Sequence, residues 1–153
     1  MARQAKMIRL VYVSTSGLRW TPDALNDLAA RSAEKNAKAG LTGMLLFSRG
    51  NFMQCLEGEE RAVRRLYERV AVDKRHAEVR TLLTQPAEER LFAQWWMGLL
   101  NLDAAGCELD RERLQRLLAA SRGVTADNAS SAHALALLQD FRRQLPAATA
   151  AAA

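Results

Sequence analysis

The sequence predicts an α+β protein with a ferredoxin-like β-α-β-β-α-β order, an extra fifth strand and two further helices at the C-terminal end. Short apolar runs rich in β-branched residues alternate with amphipathic segments in that order. Two of the runs flank a Gly-Asn dipeptide and predict a hairpin. The strands are apolar on both faces, which predicts cover on both. We therefore expect a five-stranded sheet with two helices on one face and the C-terminal helix pair, or a partner subunit, on or near the other.

The first strand and helix are marked by local signals. The run MIRLVYVST (7–15) is apolar and β-branched, which is typical of a strand. Thr21 and Pro22 supply a hydroxyl cap followed by proline at the first helical position, so a helix begins there. It is predicted to end near Ala37, with Gly40 as a left-handed stop.

The next predicted elements are the hairpin, a second helix and two more strands. TGMLLFSR (42–49) and NFMQCLEG (51–58) form the hairpin, with the turn at Gly50–Asn51. Glu59 and Glu60 open the second helix, because acidic side chains suit the positive end of the helix dipole. This helix is predicted to bury Val63, Leu66, Tyr67 and Val70 and to end near residues 73–76. The strands that follow are predicted over 78–85 and 94–102.

The C-terminal part contains two amphipathic stretches joined by a turn-rich linker, SRGVTADNAS. The first covers 109–120 and the second 131–145. Their apolar residues are Leu109, Leu114, Leu117 and Leu118 in the first, and Leu135, Leu138, Phe141 and Leu145 in the second. We divide the chain into a domain over 1–103, a two-helix segment over 104–146 and an Ala-rich tail over 147–153 that we expect to be disordered.

Composition narrows the function classes. The chain of 153 residues carries 22 basic and 17 acidic residues in mixed-sign clusters, so nucleic-acid binding is permitted but not indicated. Cys55, Cys107, His76 and His133 have no zinc-binding spacing, and we expect free thiols and no metal. The N-terminus lacks a secretion signal, and no apolar run approaches the ~20 residues of a membrane span. The default expectation is a soluble cytoplasmic protein without membrane contact.

Several polar residues lie where an apolar face is predicted. Gln54 stands between Phe52 and Leu56 on one strand face, and Tyr12 lies on the corresponding face of the first strand. Ser32 and Asn36 continue the apolar stripe of the first helix. A buried amide without a hydrogen-bond partner costs about 1–3 kcal/mol. Either these groups bond to one another or the backbone, or they bind a planar polar ligand between the two helices, and residue spacing leaves both interpretations open.

The motifs LVYVS, SAEKN, AGLTGMLLFSRGNFMQCLEGE, DKRH and RLFAQWWMG together resemble the BLUF domain, a blue-light sensor using flavin. The resemblance covers residues 6–103, with the motifs in the family's order. The remaining C-terminal part is similar to the two-helix cap of short, stand-alone BLUF proteins.

The resemblance implies a flavin bound non-covalently between the first two helices. FAD is the expected form, with FMN as the alternative. Tyr12 and Gln54 match the photoactive pair, and Trp95 and Met97 match the switch residues of the last strand. The matching cofactor-binding residues are Leu28, Ser32, Asn36, Gln54, Val70, Arg75 and His76. Lys35 departs from the family, which often has His or Asn there.

The resemblance also implies a mechanism without substrate turnover, so the chain is predicted not to be an enzyme. Blue light leads Tyr12 to donate an electron, and a proton follows through Gln54, which ends rotated or tautomerised. The output would be conformational, through Trp95 or Met97, toward a homo-oligomer or a separate protein partner. Rival interpretations are an acylphosphatase-like hydrolase with Arg19 as an anion clamp, an RNA-binding sheet, and a flavin-binding module that does not respond to light.

Overall fold

A computed structural model describes residues 6–122 and 128–144 of the chain. The elements in chain order are β1 Met7–Thr15, α1 Pro22–Ala39, β2 Thr42–Ser48, β3 Asn51–Glu59, α2 Glu60–Ala71, β4 Ala77–Pro86, β5 Gly98–Asn101, α3 Glu108–Arg122 and α4 Asn128–Arg142.

The five strands form one sheet in the order β4-β1-β3-β2-β5. Neighbouring strands are antiparallel except β2 and β5, which are parallel. This arrangement confirms the predicted ferredoxin-like fold with an extra strand. In the ladder between β1 and β3, Tyr12 lies directly opposite Gln54, so the two polar side chains stand side by side on one face of the sheet.

Local signals fix the ends of α1 as predicted. The Thr21 hydroxyl accepts a hydrogen bond of 3.1 Å from the Ala24 backbone N–H, which caps the first turn. Gly40 ends the helix with φ of 72°, a left-handed conformation that glycine adopts without strain. The hairpin turn is formed by Arg49 and Gly50, both with positive φ. The predicted turn at Gly50–Asn51 was therefore one residue late, because Asn51 already pairs with Ser48.

Helices cover both faces of the sheet, as the two-sided strands predicted. On one face, residues of α1 and α2 pack against Tyr12, Phe52 and Leu56. On the other, α3 and α4 pack against a row that includes Val11 and Met53. The buried residues of the C-terminal pair are Leu114, Leu117, Leu118, Ala134, Leu137, Leu138 and Phe141.

One residue predicted for the apolar face of the C-terminal helix pair is exposed, and parts of the predicted region lie outside the described residues. Leu109 is 77% exposed, because it falls in the first turn of α3 and off the stripe that faces the sheet, so its assignment to the apolar face was wrong. Leu145, the tail 147–153 and residues 123–127 of the linker lie outside the described residues. None of the helices that the structure describes is long and apolar enough to cross a membrane.

The last strand is shorter than predicted. The prediction placed a strand over 94–102, but β5 contains only Gly98–Asn101. Residues 87–97, which we call the β4–β5 segment, instead follow an irregular path with turns. Trp95 closes one turn by donating its N–H to the Phe92 carbonyl at 3.1 Å. Its apolar residues Leu91, Phe92, Trp95 and Met97 pack in the two core clusters although they do not belong to a strand.

A buried carboxylate holds the start of this segment. Glu57 on β3 is fully buried and accepts a hydrogen bond from Arg9 Nε at 2.8 Å. The same carboxylate accepts the backbone N–H groups of Leu91 and Phe92 at 2.9 and 2.8 Å. Arg90 donates to the Gly40 carbonyl at 2.9 Å. The segment is thereby tied to β1, β3 and the end of α1.

Candidate functional site

A cavity of about 140 Å³ lies between α1 and α2, over the centre of the sheet. It brings together residues that are far apart in the sequence but were predicted to share a site. The predicted residues that line it are Tyr12, Leu28, Ser32, Asn36, Gln54, Val70, Arg75 and His76.

Tyr12 and Gln54 form the buried floor of the cavity. The Tyr12 hydroxyl donates a hydrogen bond to Oε1 of Gln54. The amide nitrogen of Gln54 lies 3.4 Å from the Met97 sulfur, a weak acceptor. Gln54 therefore has a strong partner on its carbonyl side and a weak one on its amide side. An amide so placed can exchange donor and acceptor by rotating, because its two ends have nearly the same shape.

The Tyr12 phenol is held in its neutral form. Burial raises the pKa of Tyr12 well above its ordinary value, and the nearby Tyr67 and Asp73 raise it further. The Tyr67 ring packs edge-on against Tyr12 with 5.6 Å between the ring centres. Tyr12 is consequently a hydrogen-bond donor throughout the neutral pH range.

Asn36 places a second amide at the cavity. It is nearly fully buried in the last turns of α1, and its Nδ2 donates to the Trp96 carbonyl at 2.7 Å. Leu28, Ser32 and Asn36 recur at a four-residue spacing, so they share one face of α1. The polar residues Ser32 and Asn36 therefore line the same cavity as the apolar Leu28.

Charged and titratable groups stand at the end of α2 and in the loop after it. Nδ1 of His76 lies 3.0 Å from the Ser14 hydroxyl. Burial lowers the pKa of His76, opposed by Asp73 and assisted by Arg75, which favours the neutral ring. Arg75 pairs with Asp73 at 2.7 Å. The hydrogen bond from Arg75 lowers the pKa of Asp73 to about 2.

Comparison with known proteins identifies the family of the chain that forms this cavity. Residues 7–98 match the family described as BLUF, sensors of blue-light using FAD. The chain belongs to the BLUF family. The matched range contains both strands that carry Tyr12 and Gln54, both helices around the cavity, and Met97.

Curated relatives of this BLUF chain are light-regulated proteins. It is 34% identical over 87 residues to the photoactivated adenylate cyclase subunit beta of Euglena gracilis, covering 57% of this chain and 10% of the relative. It is 32% identical over 78 residues to the blue light- and temperature-regulated antirepressor BluF of Escherichia coli K12, covering 51% and 19% of the two chains. The chain thus spans only about a tenth to a fifth of the length of these relatives.

Solved structures show the same BLUF fold. A bacterial light-regulated adenylyl cyclase matches with a TM-score of 0.69 and 31% identity, over 76% of this chain and 35% of that one. The dark state of the BLUF protein BlrB matches with a TM-score of 0.69 over 88% of this chain and 98% of that one. At 22% identity the BlrB match carries the fold alone.

The chemistry of the cavity fits the flavin that the BLUF family uses. Leu28, Leu66 and Val70 provide aliphatic walls from both helices, as the faces of a flat ring require. Gln54 and Asn36 provide amide groups that can pair with the carbonyl and ring-nitrogen edge of such a ring. Among the described residues, no cluster of three or more His, Cys, Asp and Glu side chains could hold a metal ion.

Several cavity residues were not predicted. Leu45, Arg69 and Asp73 line the cavity, together with Lys35. Leu66, Arg69, Val70 and Asp73 recur at the three- and four-residue spacing of one helix face and its extension. Helical spacing could have identified Arg69 and Asp73. Leu45 lies opposite Gln54 in the sheet ladder and required the strand register.

The two predicted switch residues occupy different surroundings. Met97 packs in the cluster on the α1–α2 face, beside Gln54. Trp95 packs against the cluster on the α3–α4 face. Both precede β5 and lie in the β4–β5 segment, not in the last strand as predicted, because the strand begins only at Gly98.

Proposed function

We propose that this BLUF chain is a blue-light photoreceptor that binds FAD non-covalently in the cavity between α1 and α2, with Tyr12 and Gln54 as its photoactive pair. The observation that carries the proposal is the buried hydrogen bond from the Tyr12 hydroxyl to Gln54 on the cavity floor. It leaves Gln54 bonded on one side and weakly engaged on the other.

When bound, the flavin supplies a chromophore that absorbs blue light and accepts an electron in its excited state. Tyr12 is the electron donor, and its phenolic proton has a direct path to Gln54 through their hydrogen bond. Gln54 carries the proton and, when electron and proton have returned, remains rotated or tautomerised. The rearranged amide then presents a different donor and acceptor pattern to the ring edge and to Met97.

The other cavity residues position the ring. Leu28 and Val70 would pack on its two faces, and Asn36, at the end of α1, would bond its carbonyl edge. Ser32, Arg75 and His76 would hold its remaining polar edges and its side chain. The support for these roles is that all six line one cavity and approach it from two helices and a loop.

The output is conformational. Met97 touches Gln54 and belongs to the β4–β5 segment, which also contacts α4 where Arg142 donates to the Leu91 carbonyl at 3.2 Å. We propose residues 1–103 as the photosensor and 104–146 as the output segment, acting on a homo-oligomer or a separate protein partner. The chain itself has no enzymatic activity in this proposal, since its match covers only a small part of each cyclase relative. Two free cysteines suit a reducing, cytoplasmic compartment.

The test is the visible spectrum of the purified protein before and after blue light. We expect a yellow protein with a small red shift after illumination that reverts in the dark. The variant Gln54→Leu should stay yellow and lose the shift, whereas Gln115→Leu, on α3, should keep it. A normal shift in Gln54→Leu would remove Gln54 from the mechanism, and a yellow wild-type protein without any shift would favour the module that does not respond to light.

The hydrolase alternative gains no support from the comparisons, which identify a sensor family. Its proposed anion clamp, Arg19, is exposed in the loop before α1. The cover of the second sheet face by α3 and α4 is also unfavourable to an RNA-binding sheet, which needs that face open.

A further inference from the structure

Tyr67 of α2 lies beside the Tyr12–Gln54 pair but outside the cavity. Its ring packs edge-on against Tyr12, with 5.6 Å between the ring centres and 66° between the ring planes. Rings at this distance and angle are in direct contact, so no other side chain separates them. Tyr67 is not among the residues that line the cavity. Tyr12 therefore has two partners: Gln54 bonds its hydroxyl, and Tyr67 contacts its ring.

The two tyrosines differ in their access to water. Tyr12 is 2% exposed, and the hydrogen bond from its hydroxyl to Gln54 is buried. Tyr67 is half-buried, and its hydroxyl accepts a hydrogen bond of 2.9 Å from Thr81 in an exposed position. The Tyr67 hydroxyl can therefore release its proton to water, whereas the Tyr12 proton passes to Gln54.

This difference decides where an oxidised tyrosine is more stable. A tyrosine that loses an electron also loses its phenolic proton, because the oxidised phenol is a strong acid. In the proposed function the proton of Tyr12 moves to Gln54, a weakly basic amide in a buried site, and a buried charge is costly. Oxidation of Tyr67 in place of Tyr12 avoids this cost, since the proton released at Tyr67 is hydrated.

We propose that Tyr67 relays an electron to Tyr12 after the light-driven step, and that the chain thereby oxidises small soluble thiols in blue light. The inference rests on the proposed function and adds a branch to it. An electron passes from the Tyr67 ring to the Tyr12 radical, and the proton held at Gln54 returns to the Tyr12 oxygen and re-forms its O–H bond. The O–H bond of Tyr67 breaks, and its proton goes to water.

The radical left on Tyr67 stands where a solute can reach it. A thiol donates a hydrogen atom to this radical, so the thiol S–H bond breaks and the Tyr67 O–H bond re-forms. Two of the resulting thiyl radicals join as a disulfide. The electron that Tyr12 gave to the flavin is removed by dissolved dioxygen, which becomes superoxide. Each event thus oxidises one thiol, reduces one dioxygen by one electron, releases one proton and restores Tyr12, Gln54 and Tyr67.

The relay competes with the direct return of the electron to Tyr12. That return completes the red-shift cycle and does not involve Tyr67. The relay should therefore appear as a slow loss of thiol under continuous light, and not as a loss of the red shift.

The first test measures thiol oxidation. The flavin-loaded protein is illuminated in air with reduced glutathione, the protein is removed by ultrafiltration, and the remaining thiol is measured with a colorimetric thiol reagent. We expect the thiol to decrease in blue light and not in the dark. The filtrate, illuminated alone, controls for released flavin.

Variants assign the oxidation to Tyr67. Tyr67→Phe, which keeps a packed ring but has no phenolic proton to release, should bring thiol oxidation close to the dark level and keep the red shift. Tyr67→Trp supplies another oxidisable ring and should restore the oxidation. Trp20→Phe should leave it unchanged, because the Trp20 ring packs against Phe52, a ring that is much harder to oxidise.

A second readout locates the radical, and the outcomes separate the relay from the proposed function. An arylurazole, which couples covalently to oxidised tyrosine, is added during illumination, and the labelled residue is identified by mass spectrometry; we expect Tyr67. Absence of label on Tyr67, or an unchanged thiol oxidation rate in Tyr67→Phe, overturns the relay, while a normal red shift in the same samples still supports light sensing. Failure of the proposed function has a different signature, namely a wild-type protein without any red shift.

Discussion

At the scale of single residues, the proposed photochemistry depends on one amide and one phenol that the sheet register places side by side. Tyr12 and Gln54 are 42 positions apart in the sequence, yet their strands pair so that they lie opposite each other. Burial keeps the phenol neutral and removes competing water. Both effects favour a single, directional hydrogen bond over a set of solvated alternatives.

Tyr12 has a matched control in the neighbouring Tyr67. We expect Tyr12→Phe to bind flavin and to lose the normal reversible red shift, because neither electron nor proton can come from a phenyl ring. Tyr67→Phe should retain the shift, since the Tyr67 hydroxyl bonds Thr81 and not Gln54. Absorption spectra after a blue-light pulse measure both, and an intact shift in Tyr12→Phe would contradict the donor assignment.

We expect the free energy of unfolding to depend on pH through His76. Its pKa is lowered in the folded state, so the unfolded chain binds the proton first as pH falls. The free energy of unfolding should therefore decrease from pH 7 to pH 5.5, and His76→Asn should show a smaller decrease. Asp73 does not titrate there, because its pKa lies near 2 when folded and near 3.8 when unfolded. Urea unfolding at the two pH values is the measurement, and equal slopes in variant and wild type would refute the role of His76.

At the scale of elements, the β4–β5 segment connects the candidate photosensor site to the rest of the fold. Asn36 bonds the Trp96 carbonyl, and the Gly43 N–H bonds the Trp95 carbonyl at 3.1 Å. Gly43 has no alternative at this position, because a Cβ there would overlap the Cys55 carbonyl oxygen. The segment is thus irregular in shape but held along its length.

The Glu57 carboxylate should be essential for the position of this segment. Glu57→Gln leaves Arg9 buried without its counter-ion, and breaking a buried pair costs about 3–5 kcal/mol. Glu60→Gln removes an exposed pair with Arg64 and should cost less than about 1 kcal/mol. Denaturant unfolding compares the two variants.

Hydrogen exchange locates the effect of the same change. In Glu57→Gln, an NH2 group replaces one of the two carboxylate oxygens, so one of the Leu91 and Phe92 amides loses its acceptor and should exchange faster than in Glu60→Gln. Equal protection of these two amides in both variants would show that the carboxylate does not hold the segment.

At the scale of the whole molecule, a sheet with two apolar faces requires two layers of helices. The α1–α2 layer leaves a cavity, whereas α3 and α4 pack a continuous core against the other face. Both faces carry a buried core, and the candidate site lies on the α1–α2 face. The β4–β5 segment contributes to both, with Met97 on one side and Phe92 on the other.

The helix pair is expected to contribute strongly to stability. Leu138 of α4 is fully buried, and Leu138→Ala should lower the free energy of unfolding by about 2–5 kcal/mol. Leu109→Ala, at an exposed position of α3, should change it by less than about 0.5 kcal/mol. Denaturant unfolding tests both. A small effect at Leu138 would mean that the pair is only loosely attached to the sheet.

The sequence by itself determined the elements and most of the cavity. Thr21 and Gly40 act through neighbouring backbone groups, so their roles can be recognised locally. Helix geometry also places Leu28, Ser32 and Asn36 on one face of α1 whatever the tertiary arrangement, because they are spaced four residues apart. The resemblance to BLUF domains added the meaning of Tyr12 and Gln54, which periodicity alone left open.

Only the tertiary structure decided what depends on contacts distant in sequence. Residues 94–97 were predicted to belong to the last strand, but the β4–β5 segment is held in an irregular path by hydrogen bonds to Glu57, Gly43 and Asn36, and local propensity cannot report these distant partners. The cavity likewise forms only where Tyr12 of β1, Gln54 of β3 and His76 of the loop after α2 come together. Local signals determine the backbone conformation within a few residues. Buried ion pairs and cavities, in contrast, form between segments that are distant in the sequence, so their stabilising or destabilising effect cannot be predicted from local sequence.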